Sequence, residues 1–203
     1  RKLNSNLNSI SGSKVQKLKK LQGNIKLIKN CELKKSATNM VFADGNISAK
    51  IMLIGEGPGS NEDIKGLPFV GRAGKLLDKM LESIKLNRSK VYISNVVNYR
   101  PPSNRKPTED EIKRYLPYLV KHIEIINPKI LVLLGSTALN ALIGNQEVIS
   151  KARGKWTQKN IGESMPWIIP TFHPAFLMRQ PEQKKLAWID LKLIREKIKY
   201  LKI

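Results

Sequence analysis

A short apolar run, Ile51-Met-Leu-Ile54, opens directly into Gly55-Glu56-Gly57-Pro58-Gly59. This junction limits the fold more than any other stretch. A brief, wholly apolar run suits a strand buried on both faces of a parallel sheet. The three glycines in the next five residues permit left-handed or sharply turned backbone at the strand's C-terminal edge. In open α/β sheets that edge is where ligands bind. Glu62 and Asp63 follow, then Phe69 between Pro68 and Gly71. A helix is predicted from near Arg72, with an apolar stripe at Ala73, Leu76, Leu77, Met80 and Leu81. The loop is no P-loop, because no Gly-Lys-Ser/Thr follows, and it does not fit the GxGxxG dinucleotide pattern.

The same alternation recurs downstream. Lys90–Asn95 reads as a second strand, ending in Asn. Lys129–Leu134 reads as a third, entering a short helix through Gly135-Ser136. Trp167–Thr171 reads as a fourth and delivers His173 to a C-terminal edge. Helices are predicted from Lys14 to Leu27, from Arg72 to about Leu86, from Thr108 to about Ile126 and from Pro181 to Tyr200. Thr108 with Glu111 three residues on is a capping-box signature. Val41-Phe42 to Gly45-Asn46 reads as a short strand and turn, and residues 144–164 as a loop or hairpin around Arg153-Gly154. Pro101, Pro102 and Pro107 should make their loop stiff and non-helical. Strands alternating with helices give an α/β fold, a three-layer α/β/α sandwich around a four-stranded parallel sheet. Residues 1–13 are expected to be a flexible basic lead-in and residues 14–203 a single domain.

Charge narrows the partner. Lys and Arg number 37 against 16 Asp and Glu, a net +21. That excess points to a polyanion, nucleic acid foremost. A Lys-, Asn- and Ile-rich background composition would also raise it. Lysine-dominated charge suits phosphate attraction more than base reading. No apolar run is long enough for a membrane span, so no membrane partner is expected. The one cysteine, Cys31, excludes an internal disulfide framework. A monomer is expected, cytoplasmic and nucleoid-associated.

Two further stretches sharpen this. One runs Tyr92-Ile-Ser-Asn95-Val-Val-Asn-Tyr-Arg100-Pro-Pro-Ser-Asn104-Arg105-Lys-Pro107, and the other Phe172-His173-Pro174-Ala175-Phe-Leu-Met-Arg179. With GEGPG-x3-D and GLPFVGRAG, they resemble in order the family 4 (A-type) uracil-DNA glycosylases. The resemblance spans about Leu27 to Trp188. It implies that superfamily's fold, a DNA partner containing uracil, single- or double-stranded, and excision of the base. It also implies a four-cysteine iron–sulfur site, which this chain departs from. The family's positions fall on Ile28, Cys31, Tyr99 and Tyr115, so three of four thiolates are missing. Such clusters are held by four cysteine thiolates, and Tyr or Ile does not replace them. The expectation is therefore no cofactor and no metal, with packed side chains in the vacated volume and Cys31 an inert thiol.

The resemblance places roles on individual residues. A glycosylase extrudes its target nucleotide into a pocket and reads the base's Watson–Crick edge. Phe69 is the candidate stacking surface, unless it is a core phenylalanine beside Val70. Asn95 is the candidate discriminator, because a carboxamide can donate to uracil O4 and accept from N3–H, a pattern that cytosine reverses. Backbone N–H groups of Gly55 and Gly57 are further base-binding candidates. His173 would donate to uracil O2 as negative charge develops on the leaving base. His122 lies mid-helix and reads as structural. Glu56 and Glu62 are the acids that could orient water or stabilise the sugar cation, with Glu56 ranked first. Arg100, Asn104 and Arg105 suit a phosphate backbone, and Arg179 likewise. Leu177 and Met178 are candidates to wedge into the gap left by the flipped base, unless they merely start an apolar helix. The alternative reading is a DNA- or damage-binding module on the same fold that has lost catalysis.

Overall fold

Alternation along each strand decides the layers. In β2 (Ile51–Gly55), Ile51 and Leu53 join one apolar cluster, and Met52 and Ile54 join another on the opposite face. β3 (Tyr92–Asn95), β4 (Ile130–Leu134) and β6 (Trp167–Thr171) repeat the pattern, and every strand residue but Trp167 is buried. These four form the expected parallel sheet, in the order β3-β2-β4-β6. The computed structural model describes residues 7, 9–144 and 147–203. The expected flexible lead-in thus lies partly outside the described residues. Of its described part, Leu7 is buried and Ile10 packs on the core.

Two short strands extend the sheet to six. β1 (Asp44–Gly45) pairs antiparallel with β3, and β5 (Thr157–Gln158) pairs antiparallel with β6. Pro170 sits in β6 beyond the two residues that β5 covers, where the strand's outer edge has no strand partner and a missing N–H is tolerated.

Helices close both faces. α1 (Lys14–Lys26), α2 (Glu32–Ser36), α5 (Glu109–Ile126) and α6 (Ser136–Ile143) bury Leu21, Ile25, Leu33, Tyr115, Ile123 and Leu142 against one face. On the other, α4 (Arg72–Ser83) and α9 (Lys184–Leu201) bury Leu77, Met80, Leu81, Leu191 and Ile194. Thr108 caps α5 as predicted: its hydroxyl accepts from the Glu111 N–H and the Glu111 carboxylate accepts from the Thr108 N–H.

The remaining elements correct the sequence reading. α4 ends at Ser83, three residues short of Leu86. The strand near residue 42 is at Asp44–Gly45, because the Val41 N–H and C=O are taken by Asn98. Arg153-Gly154 does not turn a hairpin: α7 (Ile149–Ala152) leads into it and β5 follows, pairing with β6, while one antiparallel bridge, Ile161–Ser164, closes a small turn beyond. The proline loop contains a 3₁₀ turn, Pro102–Asn104, with Pro102 at its first position and Ser103 and Asn104 at positive φ. Further 3₁₀ turns lie at Arg88–Lys90, before β3, and at Pro181–Gln183, before α9.

Candidate active site

The chain leaves β2 towards β3 on one side, then crosses to β4 on the other. This reversal opens a crevice at the C-terminal ends of β2 and β4, the place where open α/β sheets bind ligands. Glu56 follows β2 directly, and Thr137 lies in the first turn of α6, just after β4. The Thr137 hydroxyl donates to Glu56 Oε2 across that crevice. The other Glu56 oxygen bonds to no described residue and is available to a water. Sequence reasoning missed Thr137, since the two residues are 81 apart and no local pattern links them.

Asn95 ends β3 beside Gly55. It is 3% exposed, and its Oδ1 has no hydrogen-bond partner among the described residues. An orphaned buried carbonyl oxygen is costly, on the order of 1–3 kcal/mol, unless a ligand completes it. Gly55 keeps this position open: a Cβ there would lie 2.5 Å from Phe69 Cζ and collide with Asn95 Oδ1. Gly57 is confined in the same way by Val97.

Phe69 is both pocket wall and core residue, at 6% exposure. Its φ of +54° is sparsely populated for a side chain of that bulk. Surrounding bonds impose it. The Arg88 guanidinium donates to the Pro68 and Phe69 carbonyls while paired with Asp44 and Asp78. Glu62, on α3 (Ser60–Lys65), fixes the flanking turn: its Oε1 accepts from the Val70 and Gly71 N–H groups at 2.8 Å each, and its Oε2 from Gly59 at 3.2 Å. Asp63 is buried and ties Thr38 and Asn39 to the same loop.

His173 caps α8 (Pro174–Arg179), accepting from the Ala175 N–H through Nδ1 at 3.1 Å. An imidazole whose Nδ1 accepts carries its proton on Nε2. Burial pushes its pKa down to about 4, with Arg179 adding to the depression and Glu62 opposing it. The ring is therefore a neutral donor at neutral pH. It lies 5.5 Å from the Phe69 ring, centroid to centroid. His122, by contrast, is sealed in the core between Phe42 and Tyr92, bonded to the Tyr92 hydroxyl at 2.8 Å.

Glu56, Gly57, Phe69, Asn95 and His173 thus converge on one cleft of about 240 Å³, with Arg105 and Arg179 at its rim. A contiguous cleft of about 280 Å³ leads past Ser136 and Thr137, with Lys106 on its wall. The outer candidates divide. Arg179 is exposed at the mouth. The Arg100 Nε donates to Asn104, steadying the proline loop. Arg105 is committed to Glu111 through a two-pronged ion pair, so much of its charge is already answered. Leu177 is 1% exposed in the apolar core, so the wedge reading fails for it: leaving would open a cavity under α8. Met178 is half-exposed and adjoins the next groove.

Ile28, Cys31, Tyr99 and Tyr115 also meet, all buried within one cluster, with Cys31 Sγ 3.3 Å from the Tyr115 hydroxyl. One thiol, two phenols and an alkyl chain do not fit a four-thiolate iron–sulfur cluster.

Comparisons with known proteins place the chain in a family. The family described as the Uracil DNA glycosylase superfamily matches residues 42–192. The type-4 uracil-DNA glycosylase of Sulfurisphaera tokodaii is 43% identical over 88% of this chain and 84% of its own length. Those of Saccharolobus solfataricus and Thermotoga maritima are each 42% identical, over 85% and 83% of this chain and 82% and 88% of their own.

Proposed function

Since this chain belongs to the uracil-DNA glycosylase superfamily, alongside its type-4 members, we infer that the cleft at the β2/β4 crevice receives the flipped base. The protein is a uracil-DNA glycosylase, a hydrolase of base excision repair: it cleaves the N-glycosidic bond of deoxyuridine in DNA and leaves an abasic site.

The observation that carries the residue assignment is the orphaned Asn95 Oδ1. A buried acceptor with no partner fits the N3–H of uracil, while the same amide's NH₂ answers O4. Phe69 supplies the stacking face. The His173 Nε2–H donates to O2, where charge gathers as the bond to the sugar breaks. Because the imidazole is neutral, it stabilises the leaving anion without giving up its proton. Glu56 orients the attacking water with the oxygen that Thr137 leaves free. Glu62, with both oxygens on backbone donors, shapes the Phe69 turn rather than the reaction. Among the described residues no lysine lines the base cleft itself, and Lys106 stands only on the wall of the contiguous one, so we assign no Schiff base and no strand cleavage. We propose further that the chain folds without an iron–sulfur cluster, with Tyr99 and Tyr115 filling that volume, and that it acts as a monomer.

The test is an excess of uracil-containing oligonucleotide, scored by alkaline cleavage over time, with a visible absorbance spectrum of the same preparation. Many turnovers per protein and no iron–sulfur band are expected. Binding without product would overturn the catalytic assignment, and a brown protein the cluster assignment.

A further inference from the structure

Beyond the base pocket, one surface of the molecule has no role in the chemistry. Two clefts of about 490 and 210 Å³ share Leu76, Lys79 and Lys184, forming one groove between α4, α8 and α9. It starts beside the pocket mouth: Ala73 and Arg179 line the base pocket, while their chain neighbours Arg72 and Met178 line the groove.

The composition of its walls is uneven. Arg72, Lys75, Lys79 and Lys184 are exposed along it, none forms an ion pair with a described residue, and no carboxylate lines either cleft. Arg72, Lys75 and Lys79 recur three and four residues apart, so they make one stripe along roughly 10 Å of α4. The floor is apolar, built from Leu76, Met80 and Ala187, and Trp188 stands at its far end, 40% exposed. A cationic stripe alone would fit any phosphate backbone. Cations over an apolar floor with an exposed indole fit unstacked bases, which need both a charge track and a π-face. In duplex DNA the bases face each other and leave nothing for Trp188 to stack on.

We propose that this groove binds the single-stranded DNA flanking the flipped nucleotide, with Arg72, Lys75, Lys79 and Lys184 on its phosphates and Trp188 stacked on a base several positions from the uracil. The assignment rests on the glycosylase reading only in taking the pocket mouth as the place where the strand enters.

The experiment compares wild type, Trp188→Ala and the double variant Lys79→Ala/Lys184→Ala. Affinity is read by fluorescence anisotropy on single strands, one short enough to fill only the pocket region and one long enough to reach Trp188, and on the long strand annealed to its complement. Trp188→Ala should weaken the long single strand about tenfold, within the range for one lost stacking platform, and leave the short strand and the duplex unchanged. The double variant should flatten the salt dependence for the long strand. Single-turnover excision from the short strand should stay at the wild-type rate in both variants. An equal effect on short and long strands, or on duplex and single strand, overturns the proposal. So does a Trp188→Ala protein whose sedimentation changes, because a second copy then covers the groove. If wild type cuts nothing yet shows the length-dependent binding, the groove assignment stands and the catalytic one falls.

Discussion

At the scale of single residues, the site is a set of groups whose hydrogen-bonding capacity the protein itself leaves partly unused. Asn95 shows this best, because its buried oxygen is unsatisfied in the protein alone. Asn95→Asp replaces a group that donates and accepts with one that, ionised, only accepts. Such a group loses uracil O4 and gains the cytosine amino group. The ratio of uracil to cytosine excision should fall, measured on matched oligonucleotides; an unchanged ratio removes Asn95 from base recognition. His173 makes a second prediction. Its pKa near 4 lies below the ordinary value of 6.5, so kcat/KM should be flat from pH 6 to 8 and decline only as pH approaches 4. An inflection near 6.5 would contradict the neutral donor. The same shift bears on stability. Between about 6.5 and 4 the unfolded chain binds a proton that folded His173 refuses, so stability is complete above that window and declines as pH falls through it. Sequence patterns marked Glu56, Phe69, Asn95 and His173, since each ends a strand or sits between turn residues. They could not mark Thr137 or Arg88, whose functional contacts reach across 81 and 19 positions. Nor could they separate Glu56 from Glu62, because the difference lies in which backbone N–H groups each one meets.

At the scale of elements, α4 links the chemistry to the core. Its first turn passes directly under Phe69, and a Cβ on Gly74 would fall on the Phe69 carbonyl oxygen. In an ordinary helix interior Gly→Ala gains up to about 1 kcal/mol. Here the clash should reverse the sign. Gly74→Ala is expected to lose about 1–3 kcal/mol in denaturant unfolding, as overpacked sites do, and to impair uracil binding by shifting Phe69. A stabilised, fully active variant would show that the helix can slide away from the turn. The main strands and long helices were legible because each carries its own period and caps: Thr108 and Glu111 announced α5 outright. The misread segments were those whose structure comes from distant partners. β5 exists because β6 offers an edge, and residues 41–42 stay out of the sheet because Asn98 takes the Val41 N–H and C=O while the Ser94 hydroxyl donates to the Phe42 C=O.

At the scale of the whole molecule, charge and sheet architecture act together. The +21 net charge predicts DNA affinity that falls steeply as salt rises, log K linear in log salt, since each neutralised phosphate releases counterions. A flat response in a titration would deny phosphate contact as the source of that charge. Among the described residues, no helix is long and apolar enough to cross a membrane. The two outermost strands add a last consequence. β1 and β5 are two residues long and run against their neighbours, so they offer little free backbone for another chain to pair with. A strongly basic protein accumulates on nucleic acid, where copies crowd shoulder to shoulder. With its edge strands this short, and with Pro170 lacking an N–H on the part of β6 that β5 leaves uncovered, the sheet offers those neighbours little template for strand-to-strand aggregation.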